Sequence, residues 1–259
     1  MKSNLFFAME VHAPWPLQYP QGRVLQEKNR HLTLAFIGQT ENELIPFPIP
    51  TFQMGFVGRF DSCVFLPRAH PRVAAWNIQW LENVEVLMEY RKSLISWLRG
   101  KNILVKEHPE FLSHVTIARA PFDLKEWKHQ FLPMPLYVSS VQLFKSLGFS
   151  EYESISSYPL ILPFEEIEHT ADRAFLVRGR DMNHLYQHAL VALAFHFPEL
   201  LDFLAEVPTL KSIQEVVKTL NQTIFFADKE VGCPYKAVSH HGKMFERDSY
   251  IEWEMIIDV

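Results

Sequence analysis

A chain of 259 residues, 48% hydrophobic and with only 9 glycines, can bury a full core, which excludes disorder as its main state and favours two modest domains over one large one. A net charge of -5 argues against broad, sequence-independent nucleic-acid binding, and two cysteines without CxxC spacing, Cys63 and Cys233, argue against a disulfide framework or a structural zinc site. No 18-residue apolar run is present to cross a bilayer, and the opening MKSNLFFAMEVHAPWP is interrupted by Glu10 and lacks a small-residue cleavage site, so a cytoplasmic protein with no membrane partner is expected.

In chain order, NLFFAMEV has the composition of a strand, and the prolines of APWPLQYPQG turn it into a loop. Alternation in RHLTLAFIG places His31, Thr33 and Ala35 on one face of a second strand, with Leu32, Leu34 and Phe36 on the other. IPFPIPT marks a loop, after which FQMGFVGRF, SCVFLPR and RVAAWNIQW read as three successive strands. Val84, Leu87, Met88, Arg91, Leu94, Ile95 and Leu98 follow helical spacing, and Gly100 stands where a helix commonly ends. In the strand SHVTIAR that follows, His114 and Thr116 share one face while Val115 and Ile117 take the other. Further strands are expected in LPMPLYVSSVQLFKS and ESISSYPLILPFEEIE, where Pro159 and Pro163 set a boundary near residue 160 that divides a domain 1–160 from a domain 161–259.

The second half opens with two short strands around an HTAD turn, then a helix capped by Asp181 with Met182, Leu185, Ala189 and Ala192 on one side. A second helix after Pro208 carries Ile213, Val216, Val217, Leu220 and Ile224 at helical spacing, and YKAVSHHG and YIEWEMIID form a terminal pair joined by a turn around 242–249. Charge separates the halves. Up to residue 160 there are 16 Lys and Arg against 14 Asp and Glu, and beyond it 9 against 16, so the halves carry +2 and -7. The first half can accept an anion locally, whereas the second would repel a phosphate backbone unless it binds cations or a basic protein.

One H-x-T tripeptide is weak evidence, and its ordinary explanation is a half-buried strand histidine. Here HLTLA recurs as HVTIA about eighty residues on, each copy in an apolar strand, which suggests two related lobes supplying one imidazole each. Displacing an ester oxygen at phosphorus with water needs a base for the water and an acid for the leaving oxygen, and histidine serves either role near neutral pH. Thr33 and Thr116, on the faces of their histidines, are placed to donate hydrogen bonds to nonbridging oxygens.

On NLFFAMEV, RHLTLAFIG, SHVTIAR and VQLFKSLGFSEYESISSYPL, residues 4–160 resemble the 2H phosphoesterase superfamily, and within it the RNA 2′,3′-cyclic phosphodiesterases, or 2′-5′ RNA ligase-like family. The resemblance implies a substrate RNA with a 2′,3′-cyclic phosphate end, a 2′-phosphate product and no cofactor. It also implies that His31 protonates the leaving ribose oxygen, His114 activates water, and Thr33 and Thr116 hold phosphate oxygens. Arg119 matches the family's basic residue after the second motif, although strict alternation turns it away from His114 unless the strand bends.

In the second half, Asp258 and the carboxylate of Val259 set two acidic groups side by side, and a third carboxylate nearby would make an oxygen-rich site suited to calcium or magnesium. EHTADRAFLVRG, KAVSHHGKMFER and the final IIDV resemble an archease, a small α+β module that binds a divalent cation and assists an RNA ligase joining 3′-phosphate or cyclic ends to 5′-hydroxyl ends. That resemblance implies Asp172, Asp258 and the Val259 carboxylate as metal ligands, Ca2+ or Mg2+ as the ion, and a 3′-phosphate/5′-hydroxyl RNA ligase as partner in tRNA splicing or RNA repair. His240 and His241 are adjacent strand residues facing opposite ways, so a solvent-facing pair is expected there in place of a transition-metal site. The expected fold class is therefore α+β: a bilobal, two-sheet 2H phosphoesterase domain followed by a small α+β archease-like domain. A second functional reading, from another class, is a non-catalytic accessory factor that holds an RNA end and activates a ligase.

Overall fold

A computed structural model describes residues 3–40, 48–50, 52–106, 111–169, 173–204, 209–239 and 242–259. The chain runs through β1 (Ser3–His12), β2 (Arg23–Val24), β3 (His31–Thr40), β4 (Val57–Leu66), β5 (Val73–Trp80), α1 (Val84–Gly100), β6 (His114–Arg119), α2 (Leu124–His129), β7 (Met134–Gly148) and β8 (Glu151–Pro159). It continues through β9 (Phe164–Ile167), β10 (Arg173–Gly179), α3 (Met182–Ala194), α4 (Ile213–Val231), β11 (Ala237–Val238), β12 (Met244–Glu246) and β13 (Ile251–Asp258). Among the described residues no helix is long and apolar enough to cross a membrane.

Local chemistry explains most of these elements. The Asn83 side chain caps α1 by accepting from the Glu85 amide, and Leu87, Leu94, Ile95 and Leu98 turn the apolar stripe inward. Asp181 caps α3 and Ser212 caps α4 in the same way. Several expectations need correction: the turn expected around 242–249, for one, carries the short strand β12, which pairs with β13. FQMGFVGRF and SCVFLPR are not separate strands, because Val57–Leu66 is one strand that stays paired with β5 by a bulge between Phe60 and Ser62. The short helix α2, capped by Asp123, was not expected, since six residues are too few to show helical periodicity; it buries Trp127.

The first half carries two lobes, but their sheets are not separate as the bilobal, two-sheet expectation had them. Strands run β1-β3-β6-β5-β4-β7, and β7 pairs again with β1, closing a ring, while β8 extends from β7. The physical reason is the 15-residue length of β7, whose start pairs with β4 and whose remainder pairs with β1 and β8. On the opposite side the lobes meet through one residue pair, Leu32 with Val115. One continuous core of strand residues with Leu87, Leu94 and Trp127 fills this half.

The second half is a five-stranded antiparallel sheet, β11-β13-β10-β9 with β12 also on β13, and its apolar face is covered by α3 and α4. Its core includes Val57 of β4, and Tyr137 of β7 packs its ring 5.1 Å from Phe164 and 5.4 Å from Phe195. Arg59 reaches Asp202 at 3.3 Å, and Gln187 donates to the Leu81 carbonyl at 2.8 Å. The halves are thus joined through packed side chains as well as through the chain.

Candidate active site

The pair Leu32–Val115 organises the site. In an antiparallel ladder the residues flanking it fall opposite one another, so His31 lies across from Thr116 and Thr33 across from His114, related by a local two-fold axis through the pair. Leu32 and Val115 are fully buried, whereas both histidines and both threonines are half-buried on the opposite face. The repeated tripeptide therefore delivers all four side chains to one face of the sheet.

Each imidazole is oriented by the same device. His31 Nδ1 donates to the Asn29 carbonyl at 2.9 Å, and His114 Nδ1 donates to the Leu112 carbonyl at 2.8 Å, in both cases two residues back along the chain. A carbonyl only accepts, so the proton sits on Nδ1 and Nε2 is left as the reactive nitrogen of each ring. Asn29 is itself clamped, its side chain donating to Glu151 and accepting from the Tyr152 amide. The buried Arg30 anchors the residue before His31, donating to the Leu25 carbonyl and lying 4.6 Å from the Trp15 ring.

A bulge follows each motif. In β3 the register with β1 shifts so that Thr33 pairs Ala8 and Ala35 pairs Phe7, leaving Leu34 as the extra residue. Ala35 consequently points into the core and Phe36 joins Phe6 and Tyr152 on the His31 face, the reverse of the strict alternation expected from sequence. In β6, Thr116 pairs Ala75 and Ala118 pairs Ala74, so Ile117 is the extra residue; Ile117 and Ala118 are both buried. This is the bend that Arg119 needed. It returns to the histidine face, where its charge acts on His31, and its Nε donates to Ser150 Oγ at 2.9 Å in the turn between β7 and β8.

Electrostatics separate the histidines. His31 is enclosed by Phe6, Phe144 and Tyr152, with ring centroids 4.9, 5.3 and 4.9 Å away. Burial pushes its pKa down to about 4, with the charges of His114 and Arg119 acting the same way and the Asn29 hydrogen bond opposing. His114 is also lowered by burial, against its hydrogen bond to Leu112. Because the unfolded value is near 6.5, the stability linked to His31 is present in full above pH 6.5 and is lost as pH falls through 4, by up to about 3 kcal/mol. His31→Leu is expected to lessen this acid-side loss. Urea denaturation from pH 7 to pH 4 checks it, and identical pH slopes for the two proteins would contradict it.

Beside the histidines opens a cavity of about 640 Å³ lined by Thr33, Phe36, Arg91, Lys106, Phe111 and His114 among others. Lys106 Nζ lies 5.8 Å from the Phe36 ring centre and the Arg91 guanidinium 4.7 Å from that of Phe111, so cations and aromatic faces alternate around the opening. Sequence reasoning did not find Asn29, Phe36, Arg91, Lys106, Ser150 or Tyr152. Pairing register, loop placement and, for Arg91, the packing of α1 bring them to the site.

The acidic ligand set expected in the second half is described in part. Asp172 lies outside the described residues, as do the rest of the turn 170–172 and the pair His240 and His241. Asp258 is exposed, and Lys236 Nζ lies 3.5 Å from its Oδ1 while donating to the Val259 oxygen at 2.7 Å. A lysine ammonium therefore lies beside both groups.

No protein-family model matches this chain, and no curated protein matches it. Similar solved structures include E. coli LigT in its apo form, 20% identical, with a TM-score of 0.43 over 62% of this chain and 98% of LigT. A crystal structure described as a phosphoesterase is 21% identical, with a TM-score of 0.44 over 61% of this chain and 99% of that one. TT0787 of Thermus thermophilus is 20% identical, with a TM-score of 0.44 over 61% of this chain and 97% of its own.

Proposed function

We propose that the first half is a phosphodiesterase that hydrolyses the 2′,3′-cyclic phosphate at an RNA end to a 2′-phosphate, with His31 and His114 as its acid–base pair. The observation that carries this reading is the symmetric one: two imidazoles flank the Leu32–Val115 pair on one face, each fixed through Nδ1 to a carbonyl and each presenting Nε2. In this scheme His114 Nε2 takes a proton from water as the water oxygen bonds to phosphorus. The P–O3′ bond breaks, and His31 Nε2–H gives its proton to O3′. Thr33, Thr116 and Arg119 face the nonbridging oxygens.

Lowered pKa values favour the neutral form of both rings in the free site at pH 7, so the proton that His31 donates is taken up from solvent as the anionic substrate binds. An anionic phosphate beside the ring offsets the cost of charging it in a buried site. The cavity of alternating cations and aromatic rings next to His114 suits a nucleotide, with stacking for a base and positive charge for a phosphate.

The test is incubation of the full chain with an oligoribonucleotide ending in a 2′,3′-cyclic phosphate, with and without chelator, and identification of the product. A 2′-phosphate formed equally under both conditions is expected. Retention of the intact cyclic end in saturable complex with the protein would favour the accessory, RNA-end-binding reading instead.

A further inference from the structure

Away from the candidate active site, a second cluster of titratable groups lies where the two halves meet. Glu82, in the loop between β5 and α1, turns its carboxylate into the second half, where only 3% of its side chain is exposed. His184 and His188, four residues apart on α3, stack at 5.4 Å between ring centroids and both address that carboxylate. His188 Nε2 lies 3.1 Å from Glu82 Oε1, and His184 Nε2 lies 3.2 Å from Oε2. All three groups offer ligand atoms within 4.8 Å of one another. Both ring nitrogens thus address one carboxylate, each through a different oxygen, close enough to share one ion with bonds of about 2.0–2.1 Å after small side-chain rotations.

The surroundings orient the donors. His188, completely buried, has its Nδ1 at 2.5 Å from the Arg178 carbonyl, so that Nδ1 carries a proton and Nε2 points to Glu82. This is the arrangement in which a histidine ligates a metal through one nitrogen while the other donates to a backbone carbonyl that fixes the ring. Gly179 makes it possible, because a Cβ there would stand 2.5 Å from the Leu185 amide and hold β10 off the first turn of α3. On the other side the Val57 amide donates to Glu82 Oε1 at 2.8 Å, and Gln187 ties α3 to the Leu81 carbonyl. Each ring meets Glu82 through Nε2, and a metal ion there takes the place of the Nε2 proton that otherwise bonds ring to carboxylate. Arg180 donates from Nε to His184 Nδ1 at 3.1 Å and brings its guanidinium to 3.2 Å from His184 Nε2 and 3.5 Å from Glu82 Oε2, so a metal on these atoms requires that side chain, 45% exposed, to turn outward.

We propose that Glu82, His184 and His188 bind one Zn2+ that clips α3 of the second half to the loop after β5 in the first. Two imidazoles and one carboxylate suit zinc better than calcium or magnesium. The site shares no residue with the histidine pair of β3 and β6, so it stands whether or not the phosphodiesterase reading does.

Untagged full-length protein, stripped with chelator, is titrated with ZnCl2 by calorimetry and separately with CoCl2 while its visible spectrum is recorded. One zinc per chain, the intense bands of tetrahedral cobalt and a zinc-dependent rise in thermal midpoint are expected for the wild type and for Arg180→Ala. His184→Asn, at a partly exposed position that tolerates change better than His188, is expected to lose all three while keeping the metal-free thermal midpoint. Absence of saturable binding in the wild type, or zinc binding by His184→Asn as tight as the wild type's, would overturn the proposal. So would a loss of binding in Arg180→Ala, which is the behaviour of a salt-bridge network.

Discussion

Replacing His114 by alanine is expected to lower kcat/KM on an oligoribonucleotide with a 2′,3′-cyclic phosphate end by about 10²–10⁴-fold, and His31→Ala by a similar factor. In the proposed scheme the two act on one phosphorus, so the double variant should lose little more than either single one. His114→Ala is the cleaner test. Its ring is half-buried beside an open cavity, whereas His31 fills a space between Phe6, Phe144 and Tyr152 that alanine would leave empty. Thermal midpoints separate loss of chemistry from loss of fold, and unchanged hydrolysis by folded His114→Ala would remove the acid–base pair.

The pH profile of the wild type depends on the same two rings. Both imidazoles are lowered below 6.5 in the free site, so the basic limb of kcat/KM should fall below 6.5, because above it neither ring holds the proton needed by the leaving oxygen. In the complex the phosphate charge raises both values, and the kcat profile should be displaced towards higher pH. Coincident profiles would show that substrate charge does not supply the proton.

Arg119→Ala is expected to cost about 10²–10³-fold in kcat, the loss that follows when a donor to developing charge is removed. The bulge at Ile117 turns Arg119 to the histidine face, and the Ser150 hydroxyl accepts from its Nε. With Nε engaged, the outer guanidinium nitrogens are left to face the phosphate. Arg119→Lys keeps charge but loses the planar fork, so it should recover only part of the rate. Ser150→Ala should lower kcat in the same direction but by less than Arg119→Ala, with KM little changed, as expected of a residue that positions the guanidinium without touching substrate. Full activity in Arg119→Ala would return the residue to a structural role.

Much of the fold was readable because its signals are local. Alternation from His31 to Thr33 and from His114 to Thr116, the stripe from Leu87 to Leu98, and the cap at Asp181 each depend on a few neighbouring residues, and each produced the element observed. The pairing of each histidine with its threonine was determined in the same way, by the two-residue repeat of an extended chain. Register is not local. Whether Phe36 or Ala35 joins His31, and whether Arg119 reaches the site, depends on one extra residue in a ladder, which the partner strand decides. The closed ring required the length of β7 to serve two lobes, and the cluster of Glu82 with His184 and His188 joins residues about a hundred positions apart. Sequence by itself determined which chemistry-bearing side chains share a strand face; only the packed structure decided which strands meet, because pairing energy and burial are settled between segments and not within them.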